Sequence, residues 1–247
     1  MDVLTQAAQK LYKQPPPCPP SLAPHPDLVA QLEELSEVMA SFETSLIPPR
    51  LREKYFKPVL EEGIEPRISS CALTANANDL AQGSIYLVNC LLAVQVLLQR
   101  FDFCVWRLEK LHTQLSQALE QAVREQIICI MRTCNLDDKM YTLRSWKNSD
   151  QADALAHKAG MDAMSISLAL KHFYGLVLTS AIEYKFVDRI NNSSVRAQAR
   201  QQVAAGIAAS YTQLHEAILS KEGGYRDPET LLLHSSHQIE SLLLGSL

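Results

Sequence analysis

Glycine is scarce in this sequence, which has 8 glycines among 247 residues. The phosphate-binding patterns G-x-x-x-x-G-K-[ST] and G-x-G-x-x-G, which need glycine so that the backbone can approach phosphate oxygens, do not occur. The nucleophile elbow G-x-S-x-G of α/β-hydrolases is missing as well. The chain therefore lacks the local motifs of nucleotide binding and of serine-hydrolase catalysis.

An excess of positive charge is also missing, since 23 Lys and Arg residues stand against 27 Asp and Glu residues. The net charge is −4 and the isoelectric point is near 6.0. Charges of both signs are interspersed, without long blocks of one sign. A nucleic-acid backbone attracts a basic surface, so this composition argues against a nucleic-acid partner.

Long apolar runs are missing too. The run at residues 85–98 is shorter than the roughly 20 residues that a membrane-spanning helix needs. Asp2 and Gln6 interrupt any apolar run at the start of the chain, so no secretory signal peptide is expected. Of the six cysteines, four fall inside helical apolar patterns, where a free thiol behaves as a small hydrophobic group. We expect a protein of the reducing cytosol that is not integral to a membrane.

What the sequence does contain is helical periodicity, strongest between residues 84 and 133. From Ile85 to Leu98 nearly every position is apolar, and only Asn89 and Gln95 interrupt the run. A helix that is apolar on all sides is buried. The following residues are apolar on one side only, with a spacing of three or four that predicts a long amphipathic helix. These positions are Val105, Leu108, Leu111, Leu115, Leu119, Val123, Ile127 and Ile130.

The first part of the chain divides into a peptide and a linker. Residues 2–13 are compatible with a short helix, and seven of the twelve residues from 15 to 26 are proline, which favours an extended polyproline linker. A ligand for an SH3-like partner is the alternative for this run. We therefore divide the chain into an N-terminal peptide with a proline-rich linker, residues 1–26, and a helical domain, residues 27–247.

A 4-3-4-3-4 spacing follows the linker and predicts a helix that Asp27 caps and that ends at the proline pair 48–49. The repeat is short, so packing inside the domain is favoured over binding to a partner helix. A turn around Gly63 and Pro66 comes next. The apolar positions of the repeat are Leu28, Leu32, Leu35, Met39, Phe42 and Leu46.

The second half of the chain predicts further helices after a polar, irregular region at residues 135–160. A strongly apolar helix begins at Met161, a helix with one apolar face follows the turn at 191–194, and Ser235 with Gln238 forms a capping box for a last short helix. No segment shows strand alternation bounded by turn residues. The expected fold is all-α, an elongated array of antiparallel helices with about six to eight members.

Two pairs of potential metal ligands are present, and neither makes a convincing site. His234 and His237 form an H-x-x-H pair at a predicted capping turn, but zinc needs a third protein ligand. Cys129 and Cys134 do not share a helix face. We predict capping or surface roles for the histidines, helix-core roles for the cysteines, and no catalytic, cofactor-binding or metal-binding residue. A Cys–His nucleophile pair assembled in space is the alternative.

Two pairs of polar residues lie near the start of the helix that is predicted after the turn at 191–194. Asn191 and Asn192 each begin an N-glycosylation sequon, but without a secretory signal we expect helix capping there instead. Arg196 and Arg200 lie one turn apart, which predicts a solvated face, with binding to an acidic partner or an anionic lipid head group as the alternative. None of these patterns identifies the partner-binding residues.

Two segments carry motifs in a characteristic order. The first is YLVNCLLAVQVLLQRFDFCVWRLEKL at residues 86–111, followed by the amphipathic run that ends REQIICIMRT. The second is YRDPETLLLHSSHQIESLL at residues 225–243. Together they resemble the C-terminal region of the family of conserved oligomeric Golgi complex subunit six. The resemblance spans roughly residues 55–244, and the first 50 or so residues do not resemble the family.

The resemblance implies a non-enzymatic subunit of a multisubunit vesicle-tethering complex that acts in intra-Golgi retrograde transport and Golgi organisation. It implies a rod-like helical bundle without cofactors, cytoplasmic and peripheral on the Golgi membrane. The implied partners are the other subunits of the complex, and beyond them fusion machinery, small GTPases and coiled-coil tethers. The family's N-terminal coiled-coil half, to which the resemblance assigns complex assembly, is expected to be missing from this chain.

Two other functions stay open at this point. One is a helical adaptor or tether subunit of a related, exocyst-like complex, which co-purification with its partners would distinguish. The other is an enzyme with an unrecognised helical active site, which a deep polar pocket with convergent ionisable groups would favour.

Overall fold

The computed structural model describes residues 18–148 and 153–245, and within these residues every regular element is helical. The predicted all-α class is therefore confirmed, while the helix predicted at residues 2–13 lies outside the described residues. The helices are α1 (Pro26–Glu43), α2 (Pro49–Gly63), α3 (Glu65–Asn76), α4 (Leu80–Leu98), α5 (Val105–Thr133), α6 (Asp137–Lys147), α7 (Ala163–Leu178), α8 (Ser193–Leu219), α9 (Pro228–Leu231) and α10 (Ser236–Gly245).

The described residues form two compact units. Unit 1 contains the described residues up to Ala122 and the segment Phe186–Arg196. Unit 2 contains the described residues within Val123–Lys185 and those from Ala197 onward. The division predicted after residue 26 stays a prediction, as does the elongated arrangement of the helices.

Helix α1 packs its predicted apolar seam into unit 1. The core interpretation of this seam is confirmed, because four of its positions are buried: Leu28, Leu32, Leu35 and Met39. The helix ends at Glu43, before the proline pair, and Leu46 is fully exposed instead of continuing the seam. The predicted cap is wrong as well. His25 occupies the cap position, and its Nδ1 accepts a hydrogen bond from the Asp27 backbone N–H at 3.3 Å.

Within the described part of the proline-rich run, residues 18–26, the segment 18–25 contains no helix, as its proline content predicts, and Pro26 already begins α1. They are not an exposed linker, however, because Leu22 is buried in unit 1. The Pro20 carbonyl accepts a hydrogen bond from the Arg189 side chain. The end of the proline run is therefore a packed part of unit 1.

Asn89 on α4 joins three segments of unit 1 through one side chain. Its Nδ2 donates to the Leu22 carbonyl at 2.8 Å and to the Arg189 carbonyl at 3.0 Å. Its Oδ1 accepts a hydrogen bond from the Asn191 backbone N–H at 2.9 Å. The residue is only 1% exposed, so these bonds satisfy polar groups that bulk water does not reach. This role explains the asparagine in an otherwise apolar run.

Helices α3 and α4 are joined by the short connection 77–79 and run antiparallel with a very close approach. A Cβ atom placed on Gly83 would lie 2.2 Å from the Ala75 carbonyl oxygen, so only glycine fits at this contact. The Asp79 side chain caps α4 by accepting a hydrogen bond from the Gln82 N–H. Helix α4 is then buried along most of its length, as predicted, with Val96 as an exposed exception.

The start of α5 differs from the predicted apolar stripe. Val105 is 54% exposed, whereas Arg107 is completely buried. The Arg107 Nε lies 2.6 Å from Glu65 Oε1, and Lys110 Nζ lies 3.2 Å from Glu65 Oε2. Burial lowers the pKa of the Arg107 guanidinium, and the Glu65 carboxylate opposes this effect. Further along α5 the stripe is buried at Leu111, Leu115, Leu119, Val123 and Ile130.

The Phe-rich junction before α5 is part of a ring cluster in unit 1. The Phe103 ring centroid lies 5.4 Å from that of Phe42 and 5.1 Å from that of Phe56. Phe101 lies 5.6 Å from Phe103. Aromatic pairs in such tilted and edge-on arrangements add about 0.5–1.5 kcal/mol each beyond their buried area. The junction therefore fixes α5 against the helices that precede it.

Part of the region predicted to be irregular is helical in unit 2. Helix α6 buries Met140, Leu143 and Trp146. The Trp146 indole N–H donates to the Asp153 carbonyl at 2.9 Å. The prediction of irregular structure is therefore wrong for Asp137–Lys147, because this mainly polar segment still buries three large apolar side chains on one helix face.

The apolar helix predicted from Met161 is α7, which Asp162 caps. It packs against α8 through aromatic side chains. The Tyr174 and Tyr211 hydroxyl oxygens are 2.8 Å apart, and the Phe173 ring stacks on Tyr211 with centroids 5.4 Å apart. Burial raises the pKa of both tyrosines, so these phenols are neutral hydrogen-bonding groups.

The predicted caps near the end of the chain are confirmed. Asn192 accepts a hydrogen bond from the Val195 N–H at 3.0 Å at the start of α8. The Ser235 N–H donates to Gln238 Oε1 at 3.0 Å, and the Gln238 N–H donates to Ser235 Oγ at 3.2 Å. This reciprocal pair is the predicted capping box, and α10 follows it with Ile239 and Leu243 buried.

Candidate functional site

The histidines and cysteines singled out from the sequence do not converge. Within residues 18–148 and 153–245, no group of three or more His, Cys, Asp or Glu side chains is placed to hold a metal ion. His234 packs edge-on against Tyr174, with ring centroids 4.9 Å apart, and His237 is exposed. Cys134 is buried, as predicted, whereas Cys129 is half-buried. Each of these residues has a packing role or a surface position of its own.

The arginine pair on α8 has protein partners. Arg196 Nη1 donates to the Ile190 carbonyl at 2.9 Å. The Arg200 guanidinium lies 5.5 Å from the centre of the Tyr184 ring, which is a cation–π contact. Both arginines are half-buried, so the prediction of a freely solvated face is wrong for them.

A cavity of about 320 Å³ lies in unit 2 between α5 and the chain that follows α7. Cys129 and Thr133 face it together with apolar side chains. Near its edge, Lys185 Nζ pairs with Glu183 Oε2 at 3.1 Å, and the hydrogen bond to Glu183 raises the pKa of Lys185. One thiol, one hydroxyl and one exposed ion pair do not form the nucleophile, base and orienting group that covalent catalysis uses.

The exposed side of α7 carries an apolar stripe of its own. Met164, Leu168 and Leu178 are 85%, 58% and 52% exposed. Lys171 and Gly175 lie between them and complete a 4-3-4-3 spacing, which places five residues on one face of the helix. A Cβ atom placed on Gly175 would meet no atom of the described chain within 4 Å. We call these five residues the α7 stripe.

The α7 stripe lies opposite the face that α7 buries in unit 2. The buried face consists of Ile166, Ala169, Leu170, Phe173, Tyr174 and Val177. It packs against α8 through its aromatic residues and also contacts α9 and α10. The sequence pattern shows that α7 is apolar but does not separate its two faces. The sequence does contain one indication of a second apolar face on α7. Its apolar residues extend over a wider part of the helix surface than a helix with one buried face needs.

Helix α4 has the length and apolar character of a membrane span. An 18-residue window within Leu80–Leu98 has a mean hydropathy of 1.6. However, 67% of that window is buried inside the protein, and α4 contacts both α1 and α3. A core helix and a membrane span share these sequence properties, and in this chain the packing accounts for them.

Comparison with known proteins places the sequence motifs in one family. The model of the family described as "Conserved Oligomeric Golgi complex subunit 6, C-terminal" matches residues 1–243. The match includes the first 50 residues, so the expectation that they fall outside the family is wrong. Among solved structures, none matches this chain significantly.

Individual relatives agree with the family match. The chain is 24% identical over 279 residues to "Conserved oligomeric Golgi complex subunit 6" of Arabidopsis thaliana, covering 98% of this chain and 41% of the relative. It is 27% identical over 243 residues to the protein of the same name from Rattus norvegicus, covering 97% and 36%. With that of Dictyostelium discoideum it shares 25% identity over 237 residues, covering 92% and 34%.

The chain thus spans between about a third and two fifths of the length of these curated relatives, and it corresponds to their C-terminal part. Coverage of nearly the whole chain by the family model agrees with the two ordered motifs at residues 86–111 and 225–243. The chain therefore belongs to the family of the C-terminal region of conserved oligomeric Golgi complex subunit 6.

Proposed function

We propose that this chain is a non-enzymatic part of a vesicle-tethering complex that acts in intra-Golgi retrograde transport and in Golgi organisation. The observation that carries the proposal is the family match over residues 1–243. Tethering in this proposal is mechanical, because packed helices hold other subunits in place and no covalent step takes part. The aromatic contacts that join helices within each unit suit such a role.

The proposed partners are the other subunits of the Golgi complex, and beyond them fusion machinery, small GTPases and coiled-coil tethers. The proposed location is the cytoplasmic side of Golgi membranes, reached through protein partners. The burial of α4 within unit 1 supports indirect recruitment. The net charge of −4 supports it as well, because anionic lipid surfaces attract basic segments.

The α7 stripe is the surface that we propose for a helix of another subunit. Its 4-3-4-3 spacing matches the seam of an amphipathic helix, since apolar residues at this spacing interlock between paired helices. Gly175 leaves room for the partner backbone to approach closely. Lys171 lies in the middle of the stripe, so the fitting partner helix carries an acidic residue opposite this position.

Affinity purification of the tagged chain from cells, followed by mass spectrometry, tests the proposed function. We expect recovery of the other subunits of the Golgi complex. Recovery of subunits of an exocyst-like complex alone would favour the adaptor alternative. Failure to recover any subunit of the Golgi complex, from cells that contain all of them, would refute the assignment.

A double variant tests the α7 stripe separately. Leu168→Glu with Leu178→Glu places two negative charges on the stripe, so recovery of the partner subunits should fall at least about tenfold, or about 1.4 kcal/mol. Because both residues are more than half exposed, the circular dichroism spectrum should not change. The matched control is Val96→Glu, a 62% exposed residue on α4, which should leave recovery unchanged. Equal recovery by the double variant and the control would reject the stripe and leave the family function standing.

Fractionation tests indirect recruitment. The chain should leave the Golgi membrane fraction when its sister subunits are depleted. Vesicles of Golgi lipid composition without protein should not bind the purified chain. Tight binding to such vesicles would show that the chain contacts lipid directly.

A further inference from the structure

The cavity of about 320 Å³ in unit 2 has mainly apolar walls. Ile130 belongs to α5 and Leu176 to α7, while Ala181 and Ile182 belong to the chain that follows α7. A space of this volume is at the lower end of the roughly 300–1,000 Å³ range of binding pockets. It is also about twice the volume of the ~150 Å³ apolar cavity that takes up one benzene molecule. The cavity is therefore large enough for a two-ring aromatic group.

One wall of the cavity is shaped by the way in which α7 ends. The Ala181 N–H donates to the Leu176 carbonyl at 3.0 Å, and the Ser180 N–H donates to the Val177 carbonyl at 3.2 Å. Ser180 lies in the left-handed region, with a φ of 51°. These features make up a Schellman motif, which places Ala181 beside Leu176. Both of these side chains line the cavity.

The chain that follows this motif is tied to two other helices of unit 2. The side-chain amide of Gln126, a completely buried residue of α5, donates to the Glu183 carbonyl at 3.1 Å. The Arg200 guanidinium on α8 lies over the Tyr184 ring. Because these contacts hold the chain against α5 and α8, the walls of the cavity are formed before anything binds, as in most binding pockets.

The cavity adjoins the C-terminal end of the α7 stripe. Leu176 directly follows Gly175 of the stripe, and successive residues of a helix point about 100° apart. Leu176 is half-buried and lies between the buried face of α7 and the stripe. The Thr179 N–H and hydroxyl both donate to the Gly175 carbonyl, at 3.2 and 2.6 Å, so the end of the stripe and the cavity wall belong to one turn. A helix that lies on the stripe therefore passes beside the cavity.

The polar groups of the cavity suit an uncharged aromatic side chain that carries a hydrogen-bond donor. The Thr133 hydroxyl donates to the Cys129 carbonyl at 3.0 Å, and its oxygen can still accept a hydrogen bond. Lys185 and Glu183 pair with each other and are 62% and 71% exposed, so they form a polar edge of balanced charge. Apolar pockets with a polar edge surround the anchor residues of interfaces, among which tryptophan and tyrosine are enriched.

We propose that the cavity receives one large aromatic side chain, tryptophan or tyrosine, from the partner helix that lies on the α7 stripe. The indole N–H or phenol O–H of this anchor residue donates to the Thr133 oxygen. Insertion of the anchor sets the register of the partner helix against α7, because it fixes one residue of that helix at the end of the stripe. This inference rests on the function proposed above and names a further feature of the partner subunit.

Filling the cavity chemically before the partner binds tests the proposal. Cys129 lines the cavity and is half-buried, so N-phenylmaleimide should attach a ring to it in the folded chain. The chain carries Cys18→Ser, because Cys18 is the other half-buried thiol. The tryptic peptide 125–132 has Cys129 as its only cysteine, and the peptide 133–139 shows whether the buried Cys134 stays unlabelled. A Cys129 that does not react would show that the cavity is closed and would overturn the proposal.

The labelled and unlabelled chains are then compared for binding to the other subunits of the Golgi complex. Labelling should lower the recovery of these subunits at least about tenfold, because the attached ring occupies the place of the anchor. The control is the chain with Cys18→Ser and Cys129→Ser, whose recovery of the subunits should not change after the same treatment. Equal recovery by the labelled and unlabelled chains would overturn the proposal and leave the family function standing. If the unlabelled chain recovers no subunit, the proposed function fails and this inference with it.

Two further measurements identify the occupant. Cys129 should react with the maleimide much more slowly in the assembled complex than in the chain alone. Photo-leucine incorporated at position 176 should cross-link to a partner peptide that has tryptophan or tyrosine at or beside the linked residue. An unchanged rate in the complex, or a cross-linked peptide without either residue, would overturn the proposal. So would a small apolar molecule that native mass spectrometry finds bound to the purified chain and that slows the labelling of Cys129.

Discussion

Replacing Asn89 with alanine removes three hydrogen bonds that hold α4, the segment before α1 and the segment before α8 together. These bonds measure 2.8, 3.0 and 2.9 Å. A hydrogen bond contributes about 0.5–1.5 kcal/mol net, so their loss destabilises unit 1 by about 3 kcal/mol. Because whole domains are stable by only about 5–15 kcal/mol, this is a large fraction of the total.

The two tryptophans allow the effect to be measured where it arises. Trp106 lies in unit 1 and Trp146 in unit 2, so a Trp146→Phe background leaves a fluorescence signal from unit 1 alone. With a urea slope of about 2 kcal/mol per molar, the Asn89→Ala midpoint should fall by about 1.5 M. Gln95→Ala, a half-buried change on the same helix, is the control and should shift the midpoint far less. A shift of Asn89→Ala no larger than that of the control would show that the three bonds do not stabilise unit 1.

Replacing Asn89 with aspartate adds a pH dependence whose sign follows from the geometry. A carboxylate at this position can accept from the Asn191 N–H but repels the two carbonyls of Leu22 and Arg189. Burial and these carbonyls raise the pKa of the new carboxyl group in the folded state above its unfolded value of about 3.9. The folded variant then binds more protons than the unfolded one, so its stability falls as pH rises above about 4. Relative to wild type, the loss should be smaller at pH 4 than at pH 7, and an equal loss at both would contradict the burial argument.

Three further predictions concern single side chains. Arg107→Ala leaves a cavity and removes the buried partner of Glu65. The free energy of unfolding, measured with urea, should therefore fall by about 3–5 kcal/mol. Lys110→Ala removes only the exposed partner and should cost less than about 1 kcal/mol, and similar losses for both would contradict a special role of burial. Ser235→Ala breaks the capping box and should cost about 1 kcal/mol, seen as faster hydrogen exchange in α10, whereas unchanged exchange would argue against the cap. Burial, aided by Asp162, raises the pKa of Tyr225 to about 12, so ultraviolet titration should show a step there that Tyr225→Phe removes.

Sequence reasoning succeeded where short-range contacts decide the structure. The apolar positions of α8 repeat every three or four residues, and Val203, Ile207 and Leu214 are buried as that spacing predicts. Asn192 and the pair Ser235–Gln238 cap helices through bonds that span only three residues. Such interactions are encoded within a few positions, so a single sequence contains the information to predict them.

Sequence reasoning failed for helices in which polar residues are buried or in which most residues are polar. Helix α3 was missed because part of its buried face consists of Arg67, Ser70 and Thr74. Helix α6 was missed because its sequence is mainly polar and Trp146 finds its partner at Asp153, beyond the end of the helix. Both helices depend on neighbours whose positions no local pattern specifies.

The sequence by itself determined the all-α class, the main amphipathic helices, several caps and, through two ordered motifs, the family. Only the tertiary structure decided which polar groups are buried and which apolar faces stay open. Asn89 interrupts an apolar run in the sequence, but its meaning depends on backbone groups 67 and 100 residues away. Leu46 looks like a core residue yet is exposed, because the helix ends at Glu43 before reaching it. Leu168 is exposed because periodicity shows that a helix face is apolar without showing what covers it. The α7 stripe could be recognised as an open face only after the helices had been placed in space.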